Sequence, residues 1–168
     1  AVDFGWTSNR GNFGVTGALS YVDTEFTSEF RNVEGDSLKG SRVPRTPQMT
    51  GEVGLDYSFL FRGGWTLKTR LNARYHGSYP LDEIRGSPHQ DEFALYDATL
   101  KLRSPRGHYE LSVSGLNLSD EVYGMSSMAR PFACPGECYA LTSPLGQFDQ
   151  VITSAIGRQF VIRLTAKL

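Results

Sequence analysis

The sequence predicts an all-β fold, an antiparallel up-and-down transmembrane β-barrel, and three observations carry that prediction. Apolar and polar residues alternate along seven separate segments; short and long connections alternate between them; and no run approaches the roughly 18 consecutive apolar residues of a spanning helix. The alternation is clearest from Trp65 to Tyr79, where Trp65, Leu67, Leu71, Ala73, Tyr75 and Tyr79 fall on one face and Lys68, Arg70, Asn72, Arg74, His76 and Ser78 on the other. Successive strand side chains point to opposite sides, so such a segment meets two different media. From Trp65 to Tyr75, ten residues at about 3.3 Å each, tilted by roughly 40°, climb about 25 Å, the height of a barrel's apolar band between its aromatic girdles. A half-buried strand of a soluble β-sandwich alternates in the same way, so this strand alone leaves both media open.

The remaining strands follow in order. Val2, Phe4 and Trp6 share a face in the first, and Phe13, Val15, Leu19 and Tyr21 in the second. The third sets Val53, Leu55, Tyr57, Phe59 and Phe61 against Thr50, Glu52, Asp56 and Ser58, and the fourth is the segment already described. The fifth places Ala94, Tyr96, Ala98, Leu100 and Leu102 opposite Asp97, Thr99, Lys101 and Arg103. The sixth begins with Tyr109, Leu111 and Val113 against Glu110, Ser112 and Ser114, then changes phase near Gly115, where a bulge is expected. The last sets Phe160, Ile162, Leu164, Ala166 and Leu168 against Gln159, Arg163, Thr165 and Lys167.

The connections discriminate better than the strands. Tight turns are predicted at Asn9-Arg10-Gly11, Arg62-Gly63-Gly64 and Pro105-Arg106-Gly107, all rich in turn-forming residues. The intervening connections, from about Arg31 to Pro47, Pro80 to Glu92 and Gly124 to Ala155, exceed ordinary hairpin loops. Strict alternation gathers every tight turn at one end and every long loop at the other, as in outer-membrane barrels with short periplasmic turns and long extracellular loops.

Composition is consistent with that class. The 168 residues suffice for one domain; a hydrophobic fraction of 39% with mean hydropathy −0.32 also suits a soluble protein, and a barrel shows the same averages because every second strand residue faces lipid and the rest face water. With 17 Lys+Arg against 18 Asp+Glu, the net charge of −1 carries no nucleic-acid footprint. Ala1 opens directly into strand-like sequence, which implies that any targeting segment is removed or lies outside this chain.

Hairpin register predicts what the polar face carries. Pairing Phe61 with Trp65 places Asp56 opposite Arg70 and Glu52 opposite Arg74, and pairing Leu102 with Tyr109 brings Lys101 to Glu110. Opposite charges across a ladder stabilise by about 0.2–1 kcal/mol each, so these lumen-wall pairs set register more than strength.

Three segments carry a resemblance to a known family. Asn117-Leu118-Ser119-Asp120-Glu121-Val122-Tyr123 is similar to the N-L-[ST]-D-x-x-Y segment on the penultimate strand of TonB-dependent outer-membrane receptors. Gly157-Arg158-Gln159-Phe160-Val161-Ile162-Arg163-Leu164 resembles their closing strand, although it lacks the usual Pro and the chain's last residue is Leu168 in place of Phe. Gly40-Ser41-Arg42-Val43-Pro44-Arg45-Thr46-Pro47, followed by Gly51 to Tyr57, resembles the approach to a downward strand of the same barrels.

The resemblance implies about seven C-terminal strands of a larger barrel of about 22 strands, with a plug domain and TonB box absent from residues 1–168. An open set of strands would expose unsatisfied backbone edges to lipid, so a C-terminal part of a larger receptor is expected. A closed barrel of eight strands is the alternative, and it needs one further strand inside the last long loop. The implied function is TonB-energised uptake of a scarce ligand, most often a ferric siderophore, across the bacterial outer membrane. Implied partners are outer-membrane lipid, the rest of the receptor, TonB acting through the plug, and the barrel-assembly machinery. A passive porin or small structural barrel, and a soluble secreted β-sandwich binding module, are the competing functions.

Candidate binding residues follow from that frame: His76 high on the lumen face, His89 in a long loop, and Tyr123, Arg130 and Phe132 toward the last loop. Cys134 and Cys138 enclose three residues and are expected to form a local disulfide, since the compartment is oxidising and no neighbouring Cys or His completes a metal site. Asp82, Glu83, Asp91 and Glu92 flank one loop, as a solvated border more readily than as a cation site. Neither a metal nor another cofactor is expected. His76, His89 and His108 have no nucleophile at a meaningful spacing, so an enzyme is not expected either.

Overall fold

The computed structural model describes residues 2–7, 12–31, 35, 37–82, 88–129 and 150–167. Eleven strands account for its regular structure: β1 (Val2–Thr7), β2 (Phe13–Tyr21), β3 (Met49–Leu60), β4 (Thr66–His76), β5 (Tyr79–Pro80), β6 (His89–Gln90), β7 (Phe93–Arg103), β8 (Tyr109–Leu116), β9 (Gly124–Ala129), β10 (Gln150–Ser154) and β11 (Gln159–Ala166). Seven of them form one antiparallel sheet in the order β1-β2-β3-β4-β7-β8-β11, an up-and-down meander. Among the described residues this sheet is open, with β1 and β11 as its edges.

The ladders bring the apolar faces of all seven strands to one side. One row runs Gly17, Val53, Ala73 and Tyr96 across β2, β3, β4 and β7; another ends Leu100, Val113 and Ile162 across β7, β8 and β11. This side is apolar yet uncovered: Leu71 is 47% exposed, Tyr96 50% and Ile162 72%. A soluble sheet would bury such a face, whereas a barrel turns it to lipid. At the tight-turn end it is edged by aromatics: Trp6 meets Phe13 edge-on at 5.9 Å, Phe59 meets Phe61 at 4.7 Å, and Trp65 and Tyr109 stand exposed nearby.

Two tight turns lie within the described residues; the one at Asn9-Arg10-Gly11 lies outside them. In the first, the Gly64 N–H donates to the Phe61 carbonyl at 3.1 Å, and Gly63 and Gly64 adopt φ of +96° and +81°, a region that L side chains avoid. A Cβ on Gly64 would also lie 3.1 Å from Pro105 in the neighbouring turn. Gly64→Ala is therefore expected to destabilise the sheet by about 1–2 kcal/mol, read as a lowered urea midpoint.

The second turn corrects a register. The Gly107 N–H donates to the Ser104 carbonyl at 2.9 Å, and the Ser104 N–H to that of Tyr109 at 2.9 Å, so the strands stay paired to the turn itself. Leu102 consequently pairs with Leu111, two residues from the expected Tyr109. A shift of two preserves which side chains face which side, so the hydrophobic pattern could not detect it.

The bulge expected near Gly115 is present: Gly115 is the last β8 residue paired with β7, opposite Ala98, and the Leu118 N–H donates to the Tyr96 carbonyl at 2.8 Å, where an unbroken ladder would use Asn117. Two further expectations are corrected. The last long connection contains a ribbon, β9 paired with β10, so the chain there is not a plain loop. That ribbon forms its own two-stranded sheet and does not close an eight-stranded barrel. Finally, Tyr79 leaves the apolar face and is 7% exposed.

Candidate functional site

The features that can recognise a ligand lie at the long-connection end, on the polar side of the sheet. They begin with Gly77, whose N–H donates to the Met49 carbonyl at 2.8 Å and ends the β3–β4 ladder. Beyond it the chain folds over the polar face, where Tyr79 and Leu81 pack with Phe93 and Leu95 of β7 into the buried apolar cluster of the described chain. Phe93 and Leu95 occupy positions whose parity is that of Asp97 and Thr99, so two apolar residues in succession at polar positions were the available signal.

On this cluster stands a stack of three rings. His76 lies parallel to Phe93 at 5.0 Å and 14°, and Phe93 to Tyr123 at 4.3 Å and 15°. His76 and Tyr123 are half-buried, while Phe93 between them is buried. The sequence offers the two outer rings as separate candidate ligand contacts; the fold joins them through Phe93, which nothing in their spacing marks. Stacked aromatics at such spacing contribute about 0.5–1.5 kcal/mol beyond their area and leave flat faces and edges for a planar or apolar partner.

Hydrogen bonds hold the surrounding connections against the stack. The Tyr79 hydroxyl donates to the Gly124 carbonyl at 3.0 Å, and the Gln90 side-chain oxygen accepts from the Gly124 N–H at 2.6 Å. The Arg45 N–H donates to the Pro80 carbonyl at 2.8 Å, and Arg42 to that of Ser78 at 3.2 Å. Burial, with Tyr123 beside it, pushes the Tyr79 phenol above its ordinary value, so it remains a donor through the neutral range.

The Asn117–Tyr123 segment is a clasp. Asn117 takes φ +51° and Asp120 φ +57°, a conformation that Asn and Asp tolerate better than most residues. The Asn117 side chain donates to the Glu121 carbonyl at 2.8 Å and accepts from the Glu121 N–H at 2.9 Å, closing the loop on itself. Asp120 accepts the Arg158 N–H at 2.8 Å and lies 3.8 Å from its guanidinium, which ties the loop to the start of β11. The two segments singled out at Asn117–Tyr123 and Gly157–Leu164 are thus halves of one device. Backbone spacing could not reveal this, because the contact spans 38 residues.

The polar face supplies the third component. Arg70 and Asp56 lie opposite one another and 3.7 Å apart. Glu52 is also opposite Arg74, but Arg74 turns to Asp97 on the next strand at 2.7 Å, and Glu52 makes no ion pair within 4.0 Å among the described residues. Asp97 wins because its other oxygen already accepts the Asn117 N–H at 2.9 Å, which orients the carboxylate toward Arg74. Lys101 reaches Glu110 at 3.6 Å diagonally, since Glu110 faces Arg103 directly.

His89 lies exposed in β6, opposite Pro80, and makes no part of the ring stack. Arg130, Phe132, Cys134 and Cys138 lie outside the described residues. Among the described residues, no cluster of three or more His, Cys, Asp or Glu is placed to hold a metal ion. Stacking, hydrogen bonding and charge are therefore the chemistry on offer.

A family model described as TonB-dependent receptor-like β-barrel matches residues 1–118. No curated protein matches the chain. Among solved structures, the ferric yersiniabactin uptake receptor FyuA from Yersinia pestis superposes with a TM-score of 0.73 at 20% identity, covering 96% of this chain and 22% of that one. The siderophore receptor PiuA from Acinetobacter baumannii superposes with a TM-score of 0.64 at 17% identity, covering 91% of this chain and 19% of that one. At these identities the likeness is one of fold, and the chain spans about a fifth of the length of either receptor.

Proposed function

The chain belongs to the TonB-dependent receptor-like β-barrel family, and from that premise we propose that it forms the C-terminal wall of an outer-membrane receptor that takes up a ferric siderophore. In this reading the apolar face meets outer-membrane lipid, the polar face lines the lumen, and the long connections face the exterior. The open edges at β1 and β11 pair with strands elsewhere in the same receptor, because a bilayer leaves no unsatisfied backbone edge in place. A plug outside this chain couples to TonB, and the closing strand is read by the barrel-assembly machinery during insertion. Residues 1–168 supply wall and loops to a transporter and no chemical step.

The observation that carries the reading is the His76–Phe93–Tyr123 stack at the mouth of the lumen wall. Ferric chelates of phenolate or catecholate type present flat rings, and the stack offers rings with an imidazole at one end and a phenol at the other. His89, Arg130 and Phe132 are further proposed contacts.

The test uses the full-length receptor in detergent, with binding of ferric catecholate, phenolate and hydroxamate chelates followed by quenching of intrinsic fluorescence. His76→Ala and Tyr123→Ala are each expected to weaken binding of the ring-bearing chelate about tenfold, near 1.4 kcal/mol. Ser112→Ala, at the opposite end of the polar face, is expected to leave it unchanged. Equal affinities across all three variants would remove the stack from the binding site.

A further inference from the structure

Beside the ring stack, the polar face carries a cavity of opposite character to its arginines. One row runs Asp3, Ala18, Glu52 and Arg74 across β1, β2, β3 and β4, and the next row toward the long connections runs Ser20, Thr50 and His76 across β2, β3 and β4. These residues line an open cavity of about 240 Å³. Ala18 fills little of the space between its neighbours, so Asp3 and Glu52 flank a gap two strand spacings wide, about 10 Å at the backbone. Neither acid makes an ion pair within 4.0 Å among the described residues. Arg74 is already committed to Asp97 at 2.7 Å, and the Asn117 N–H holds that carboxylate in place at 2.9 Å. The cavity therefore keeps two unpaired carboxylates while its arginine is neutralised from the far side. His76 lines the cavity and is also the end ring of the stack, which makes flat rings and carboxylates one continuous surface.

We propose that the ligand of this receptor carries a cationic amine beside a planar ring, with the ammonium held between Asp3 and Glu52 and the ring laid against the His76 end of the stack. A primary ammonium has three donors, and the two carboxylates with a hydroxyl of Ser20 or Thr50 supply their acceptors. Aromatic faces attract the same charge, so stack and cavity favour one kind of ligand. A metal ion is a poorer fit, because no group of three or more His, Cys, Asp or Glu is placed to hold one among the described residues. An anionic group is repelled here by both carboxylates. The inference adds a charge preference to the proposed uptake role, and it rests on this face being the lumen wall.

The full-length receptor in neutral detergent is tested with two matched pairs: an iron-free arylalkylammonium ion with its N-acetyl derivative, and a ferric catecholate bearing a primary ammonium with its N-acetyl derivative. Saturation-transfer NMR reads the first pair and fluorescence quenching the second. Each ammonium form is expected to bind about tenfold tighter than its neutral counterpart, and less so in about 1 M salt. Asp3→Asn combined with Glu52→Gln is expected to abolish that preference and to leave the neutral forms unchanged. Equal affinities within the iron-free pair overturn the proposal, as does a double variant that weakens ammonium and neutral forms alike. Displacement of the iron-free ammonium by an equal concentration of calcium ion overturns it too, and makes the two acids a metal site. If neither ferric chelate binds while the iron-free ammonium keeps its preference, the siderophore reading falls and the amine site stands.

Discussion

Asn117→Ala is expected to lower the stability of the assembled receptor by about 3 kcal/mol. Two hydrogen bonds to Glu121 disappear with the side chain, at 2.8 and 2.9 Å, each worth about 1 kcal/mol in net terms. A third contribution of about 1 kcal/mol comes from holding alanine at φ +51°. Asn117→Gly removes the first two and relieves the third, so it should recover about 1 kcal/mol relative to alanine. Urea titration of the receptor in lipid vesicles, followed by tryptophan fluorescence, gives both values. If glycine and alanine prove equally damaging, the backbone conformation is not what asparagine supplies; if neither is damaging, the clasp does not brace the wall.

The second large effect is expected on the other face. Leu71→Arg lies at the centre of β4 on the apolar side, and in a bilayer it should cost about 2–4 kcal/mol. Leu71 is 47% exposed, and an arginine at such a position on a water-facing surface would change stability by only about 0.5 kcal/mol. The same substitution therefore separates a lipid-facing wall from a water-facing one. Thr16→Arg on the polar face of β2, opposite Gly54, is the control, expected to be tolerated because that side is hydrated. Unfolding in vesicles checks both, and an unperturbed Leu71→Arg variant would contradict the lipid-facing assignment of the apolar side.

Much of the wall was legible because it depends on local periodicity. Alternation at a period of two assigns faces without knowing any partner, and the Arg62-Gly63-Gly64 turn then fixes the β3–β4 register down to Asp56 opposite Arg70. The same reasoning missed the β7–β8 register by two residues, because a shift of two leaves every face unchanged. The mouth was less legible. Tyr79 was read as the upper aromatic of a continuous strand, but Gly77 ends that strand, and beyond the break parity has no meaning. His76 and Tyr123 were singled out as binding residues, yet nothing in their spacing shows that Phe93 stands between them.

The sequence by itself thus determined the antiparallel meander, the apolar and polar sides, the sorting of short and long connections, and the position of the segments at Asn117 and Gly157. All of these follow from residue-by-residue alternation and turn chemistry, which act over a few residues. Only the tertiary structure decided that Arg74 pairs with Asp97 rather than Glu52, that Asp120 grips Arg158, and that three rings stack at the long-connection end. Those choices depend on side chains from several strands competing for the same partner in three dimensions, and on where the chain leaves the sheet. The outcome of that competition is set by distance and orientation, which a period along the chain does not encode.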